Sequence, residues 1–65
     1  MKGIISKIDR ETGLGYILDN ETKKSIGFDL STVSFTPQKG QAVSFETVHV
    51  VFTRDVYADN IKLIS

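Results

Sequence analysis

Residues 12–17 of the chain read Thr12-Gly13-Leu14-Gly15-Tyr16-Ile17. Successive side chains of a β-strand point to opposite faces, so Leu14 and Tyr16 share one face while Gly15 and Ile17 share the other. If Ile17 faces the core, Leu14 and Tyr16 face outward. The stretch therefore predicts a strand with an apolar and aromatic outer face.

The two glycines of this stretch have different predicted roles. We expect Gly13 to supply a turn with positive φ, a conformation that glycine adopts at no steric cost. Gly15 lies inside the strand, where a missing side chain permits close approach of another backbone or relieves crowding in a tight barrel. Neither glycine begins a dinucleotide-binding loop, because a third glycine and a following helix are both missing.

Similar alternation on both sides of this stretch predicts five strands. The third strand has Ile26, Phe28 and Leu30 on one face, and the phase of the long fourth strand breaks near Glu46–Val48, which indicates a β-bulge or a sharp coil. A single helical turn is expected near 30–33. The first, second, fourth and fifth strands are predicted at 3–8, 14–18, 41–52 and 56–64. Because closure removes exposed strand edges, we predict an all-β fold, a small five-stranded antiparallel OB-type barrel.

Composition limits the chemistry that the chain can perform. The 65 residues predict one domain, 1–65, and the sequence contains no cysteine, so disulfides, thiolate metal sites and cysteine nucleophiles are excluded. His49 is the single histidine and has no recognisable catalytic or ligand partners in the sequence. We therefore expect no enzymatic activity, no metal and no cofactor.

Charge and hydropathy indicate the compartment and the kind of partner. Eight Lys and Arg balance eight Asp and Glu, so any attraction for phosphate is local. No apolar run approaches the roughly 20 residues of a membrane-spanning helix, and the N-terminus lacks a signal-peptide pattern. The sequence predicts a cytoplasmic protein without membrane association.

The outward face of the second strand suggests a binding surface. An exposed aromatic ring beside an apolar side chain can stack unpaired bases, each contributing about 1–3 kcal/mol. Leu14 and Tyr16 are therefore candidate stacking residues. The alternative is that Tyr16 is an ordinary solvent-edge tyrosine that packs on a neighbouring strand.

Five segments in order along the whole chain resemble the bacterial cold-shock domain. Residues 12–17 resemble that family's Lys-Gly-Phe-Gly-Phe-Ile motif, and the other four are 3–5, 28–33, 40–46 and 58–61. The resemblance implies a five-stranded OB-type barrel that binds single-stranded RNA and DNA. The connector before Gly40 is a few residues shorter than in the family.

The departures from the cold-shock pattern fall on the family's base-stacking positions. Tyr16 is retained as an aromatic residue, whereas the family's other aromatic residues and its histidine are replaced by Lys7, Ile8, Leu14, Gly27, Asp29 and Leu30. An aspartate in the middle of the platform repels phosphate, whereas histidine can donate a hydrogen bond. The resemblance therefore implies weak binding.

These observations lead to one hypothesis and two alternatives. We expect non-catalytic binding of single-stranded RNA or DNA through Lys7, Leu14, Tyr16, Asp29 and Phe35, with Lys2, Arg10 and Arg54 in a basic rim that also includes Lys23 and Lys24. The first alternative is an OB-type protein-interaction module that has lost nucleic-acid binding. The second is a homodimer formed through a strand edge or an apolar set made of Val48, Val50, Phe52 and Tyr57.

Overall fold

The computed structural model describes residues 1–49 and 56–64, and these form a closed five-stranded barrel. The strands are β1 (Lys2–Asp9), β2 (Leu14–Asp19), β3 (Ser25–Asp29), β4 (Ala42–His49) and β5 (Val56–Leu63). Their order around the barrel is β1-β2-β3-β5-β4, which confirms the predicted OB-type fold. β3 and β5 run parallel, and the other four neighbouring pairs are antiparallel. The expected helical turn is a 3₁₀ turn at Leu30–Thr32.

One small core fills the barrel. Ile17 on β2 and Phe28 on β3 are buried, and the outer positions of β2 are exposed or half-buried, so the alternation predicted for these strands is confirmed. Each fully buried aliphatic or aromatic side chain contributes about 1.5–3 kcal/mol relative to exposure. The buried apolar side chains are Ile5, Ile17, Ile26, Phe28, Val43, Phe45, Ala58 and Ile61.

A β-bulge in β1 reverses which side chains of the second half of that strand face the core. Ile5 pairs with Ile17, but the next pairs along the two strands join Lys7 to Tyr16 and Ile8 to Gly15, so Ser6 is an extra residue. The Ser6 hydroxyl donates a hydrogen bond of 3.3 Å to the carbonyl oxygen of Tyr16. As a result Ile8 packs against the core three residues after Ile5, and Lys7 is exposed beside Tyr16.

A second bulge lies near the predicted phase break, but its extra residue is in the other strand. Ser44 pairs with Lys62 and Glu46 pairs with Asp59, so the irregularity precedes the predicted Glu46–Val48 segment and the additional residue belongs to β5. Asn60 has a φ of 51°, a left-handed conformation that asparagine tolerates better than most residues.

The bulge in β5 corrects the predicted faces of that strand. Alternation alone put Tyr57 and Ile61 on one face, whereas the structure buries Ala58 and Ile61 and exposes 43% of Tyr57. The extra residue at Asn60 changes the parity between Ala58 and Ile61, because side chains on either side of a bulge no longer alternate in step. Val50 and Phe52, which the sequence assigned to the same apolar set as Tyr57, lie outside the described residues.

The two glycines of the 12–17 stretch have the roles predicted for them. Gly13 has a φ of 75°. A Cβ atom on Gly15 would lie 2.6 Å from Cε1 of Phe28 and 3.1 Å from Cδ2 of Leu30. The ring of Phe28 therefore occupies the space above Gly15, and this packing requires glycine at that position.

We predict that Gly15→Ala lowers the free energy of unfolding by about 1–3 kcal/mol, because Phe28 must shift within a close-packed core. Urea unfolding followed by circular dichroism measures the change. Gly27→Ala is the matched control, since its Cβ would meet the Tyr16 ring at an ordinary 3.7 Å. Equal stability of the two variants would contradict the assigned role of Gly15.

Candidate nucleic-acid interface

One row on the outside of the barrel takes one residue from each of the five strands. Lys7 pairs with Tyr16, Tyr16 with Gly27, and Gly27 with Tyr57, which also pairs with Val48. Directly paired residues point to the same face of a sheet. Because Gly27 has no side chain, the rings of Tyr16 and Tyr57 stand on either side of an open position.

The space at this position is a shallow hollow of about 560 Å³, which we call the two-tyrosine hollow. Its volume is within the range of small-molecule sites in proteins. Leu14 is 40% exposed at its margin. The residues that line it are Leu14, Tyr16, Gly27, Phe28, Asp29, Val56 and Tyr57.

Tyr57 lines this hollow, and sequence reasoning missed it as a candidate for the binding face. The sequence assigned it to a self-association surface, whereas the structure places it next to Gly27 on the same outer face as Tyr16. The bulge at Asn60, which sets the direction of Tyr57, has no signal in the alternation pattern, and the neighbouring small residue Ala58 is at most an indirect one. Neither reveals that β5 lies beside β3.

A basic groove adjoins the hollow. The Nζ atom of Lys7 lies 6.0 Å from the centroid of the Tyr16 ring, a distance at which cation–π attraction operates. Lys7, Arg10 and Lys39 line a groove of about 650 Å³ together with Ser6, Ile8, Pro37 and Gln38, and none of these described lining residues is acidic. Lys7 thus connects the hollow to a locally cationic surface despite the zero net charge.

Asp29 stands at the margin of the hollow, opposite Leu14 on the neighbouring strand. Its Oδ1 atom accepts hydrogen bonds from the backbone N–H and the hydroxyl of Ser31, at 2.9 and 2.8 Å. The backbone bond, followed by the hydroxyl bond, lowers the pKa of the Asp29 carboxyl below its ordinary value. The side chain is exposed and ionised at neutral pH.

The structure brings together some of the predicted site residues and separates others. Lys7, Leu14, Tyr16 and Asp29 are in or beside the hollow, and Arg10 lines the groove with Lys7. Elsewhere on the barrel, Lys2 pairs with β4 and Phe35 is half-buried against the core, and Arg54 lies outside the described residues.

No protein-family model matches the chain, and no curated protein matches it at a significant level. Within 1–49 and 56–64, no helix is long and apolar enough to cross a membrane. The same residues contain no group of three or more His, Asp or Glu side chains that could hold a metal ion.

We predict that Ser31→Ala raises the pKa of Asp29 while leaving it below the ordinary value, because the variant loses the hydroxyl bond and keeps the backbone one. Carboxyl chemical shifts followed by NMR during a pH titration measure this. Because the pKa of Asp29 is lower in the folded than in the unfolded protein, its ionised carboxylate adds to the free energy of unfolding above about pH 4. This contribution is lost as the pH falls through the folded-state pKa of Asp29.

Thr32→Ala is the control for this titration. The Thr32 hydroxyl donates to the backbone carbonyl of Asp29 at 2.7 Å and leaves its carboxylate untouched. The pKa of Asp29 should therefore be the same in Thr32→Ala as in the parent protein. A pKa that moves in this variant and not in Ser31→Ala would refute the assignment of the cause to Ser31.

Proposed function

We propose that this protein binds single-stranded nucleic acid, RNA or DNA, on the outer face of β1, β2, β3 and β5, without catalysing a reaction. The observation that carries the proposal is the row of Lys7, Tyr16, Gly27 and Tyr57. It offers two aromatic rings around an open position and a cation at one end. Unpaired bases expose flat apolar faces that stack on such rings, and phosphates follow the cationic side.

Binding energies of this kind predict modest affinity. One stacked base contributes about 1–3 kcal/mol, so two contribute about 2–6 kcal/mol. Binding with a micromolar Kd needs about 8 kcal/mol. Phosphate contacts from Lys7, Arg10 and Lys39 supply the remainder in a salt-dependent way. Tyr57 adds a ring that is not among the positions matched to the cold-shock pattern. It partly offsets the aromatic residues of that pattern that this chain lacks.

The resemblance to cold-shock domains supports the same function, because those domains bind single strands on a barrel of this type. The cysteine-free composition fits a reducing compartment, and we place the protein in the cytoplasm. In the proposed function this chain is a divergent cold-shock-like module that binds single strands weakly.

The chain contains two tyrosines and no tryptophan, and both tyrosines line the hollow, so intrinsic tyrosine fluorescence reports on its occupancy. We predict that oligo-pyrimidine hexamers quench this fluorescence. Tyr16→Ala and Tyr57→Ala should each weaken binding by roughly five- to 150-fold, since each removes about 1–3 kcal/mol of stacking. Labelled hexamers followed by fluorescence anisotropy give the affinity of each variant.

Leu18→Ala is the matched control, because Leu18 is also an exposed outward residue of β2 but does not line the hollow. It should bind like the parent protein. Tyr16→Phe keeps the ring and should retain most of the affinity. The absence of binding by the parent protein at high micromolar concentration would refute the proposed function.

We predict that the affinity falls with salt with a logarithmic slope of about −2, because three phosphate contacts on a single strand each contribute about −0.7. Lys39→Gln should reduce the slope by about 0.7. Lys62→Gln, on β5 and away from the hollow and the groove, should leave it unchanged. Equal slopes for the two variants would show that the basic groove takes no part.

A second candidate function, self-association, is favoured by a different row on the barrel. Leu18 pairs with Ile4 and Ile4 with Ala42, whose carbonyl accepts a hydrogen bond from the Ile64 N–H. All four residues are exposed, and exposed apolar rows are typical of contact surfaces. Sedimentation velocity over a range of protein concentrations separates the two candidates. A sedimentation coefficient that depends on concentration supports self-association, whereas a monomer that binds hexamers through its tyrosines supports nucleic-acid binding.

A further inference from the structure

Asp29 has one carboxylate oxygen available to a ligand in the hollow. Oδ1 already accepts two hydrogen bonds from Ser31, which occupy both of its lone pairs. Among residues 1–49 and 56–64, Oδ2 takes part in no hydrogen bond or ion pair that the structure records, and the carboxylate is exposed to solvent. The Ser31 bonds also fix the carboxylate in place at the margin of the two-tyrosine hollow.

The hydrogen-bonding character of this oxygen is one-sided. An ionised carboxylate only accepts, so a group that faces it must donate. The bonds from Ser31 favour the ionised form by lowering the pKa of Asp29. The other polar side-chain groups lining the hollow, the hydroxyls of Tyr16 and Tyr57, can donate or accept and therefore impose no comparable restriction.

Charge on the outer face gives a bound strand an orientation. Lys7 belongs to the row of Tyr16 and adjoins the basic groove, whereas Asp29 belongs to the next row, beside Leu14. Residues two apart on a strand are about 7 Å apart, which is close to the width of a base. Phosphates are attracted to the Lys7 side and repelled from the Asp29 side, so the edge of a stacked base faces Asp29.

We infer that Asp29 makes the two-tyrosine hollow select bases that carry an exocyclic amino group, namely cytosine, adenine and guanine, over uracil and thymine. This inference rests on the proposed function. An amino group donates to Oδ2, as carboxylates do when they read the N4 amino group of cytosine. A carbonyl oxygen at the same place is repelled by the carboxylate and cannot donate. The selectivity is a property of this chain's aspartate, because the histidine of the cold-shock pattern could donate a hydrogen bond to a carbonyl.

Cytosine and uracil provide the sharpest comparison, because the two rings have nearly the same size. They differ at position 4, which carries an amino group or a carbonyl, and at N3, which carries a hydrogen only in uracil; the inferred contact of Asp29 is with the group at position 4. Oligocytidine and oligouridine RNA hexamers are titrated into the protein and followed by anisotropy. We expect cytidine to bind roughly tenfold more tightly, since a hydrogen bond to a charged group is of the size that gives a tenfold change.

Asp29→Asn tests the cause of the preference. An amide can accept from an amino group and donate to a carbonyl, so the cytidine-to-uridine ratio should fall to within about twofold. Asparagine also serves as an N-cap, so the 3₁₀ turn at Leu30–Thr32 should be retained, and thermal unfolding checks this. Asp59→Asn is the matched control: it makes the same change of charge on β5 outside the hollow, and the tenfold ratio should remain.

Four outcomes overturn the inference, and they have different meanings for the proposed function. Equal binding of both hexamers by the parent protein refutes the selectivity and leaves nucleic-acid binding intact. A tenfold ratio that survives in Asp29→Asn, or that disappears in Asp59→Asn, refutes the role of Asp29. Failure of the parent protein to bind either hexamer refutes the proposed function together with the selectivity.

Discussion

The parallel pairing of β3 with β5 closes the barrel, and most of the structure depends on it. A 65-residue chain buries few side chains, and an open sheet of this size would expose two edges and one side of its core. The Gly27–Tyr57 pair joins the first three strands to the last two. The same pair that completes the core also places the second aromatic ring of the outer face, so the stability of the fold and the shape of the hollow have a common origin.

Two bulges determine which side chains belong to the core and which to the surface. At Ser6 the extra residue buries Ile8 and exposes Lys7, and at Asn60 it allows Ala58 and Ile61 to be buried together. Small barrels need such local bends, because regularly pleated strands cannot curve tightly enough to close. In this protein the bends also direct the side chains of the candidate interface. The cation beside Tyr16 is exposed because β1 contains one residue more than its partner.

The outer face separates charge even though the chain as a whole is neutral. Lys7, Arg10 and Lys39 surround one groove, while Asp29 holds a negative charge at the far margin of the hollow. Net charge governs long-range attraction, but contacts with a bound strand depend on charges within about a Debye length of 8–10 Å. In the proposed function, this local arrangement takes the place of a net positive charge, with the Lys7 side suited to phosphates and the Asp29 side to the edges of bases.

The sequence by itself determined the class of fold, the number of strands and the outward direction of Leu14 and Tyr16, because alternation and turn residues act over a few neighbouring positions. It also indicated Lys7 and Asp29 as residues of the same surface. Only the tertiary structure decided that Tyr57 completes the hollow, that Lys39 joins the basic groove and that Phe35 packs against the core. Phe35 and Lys39 lie in the connector between the 3₁₀ turn and β4, where no alternation predicts the path of the chain. The place of Tyr57 depends on strand order and on the one-residue bulge at Asn60, because a single inserted residue reverses the side-chain parity that sequence reasoning follows.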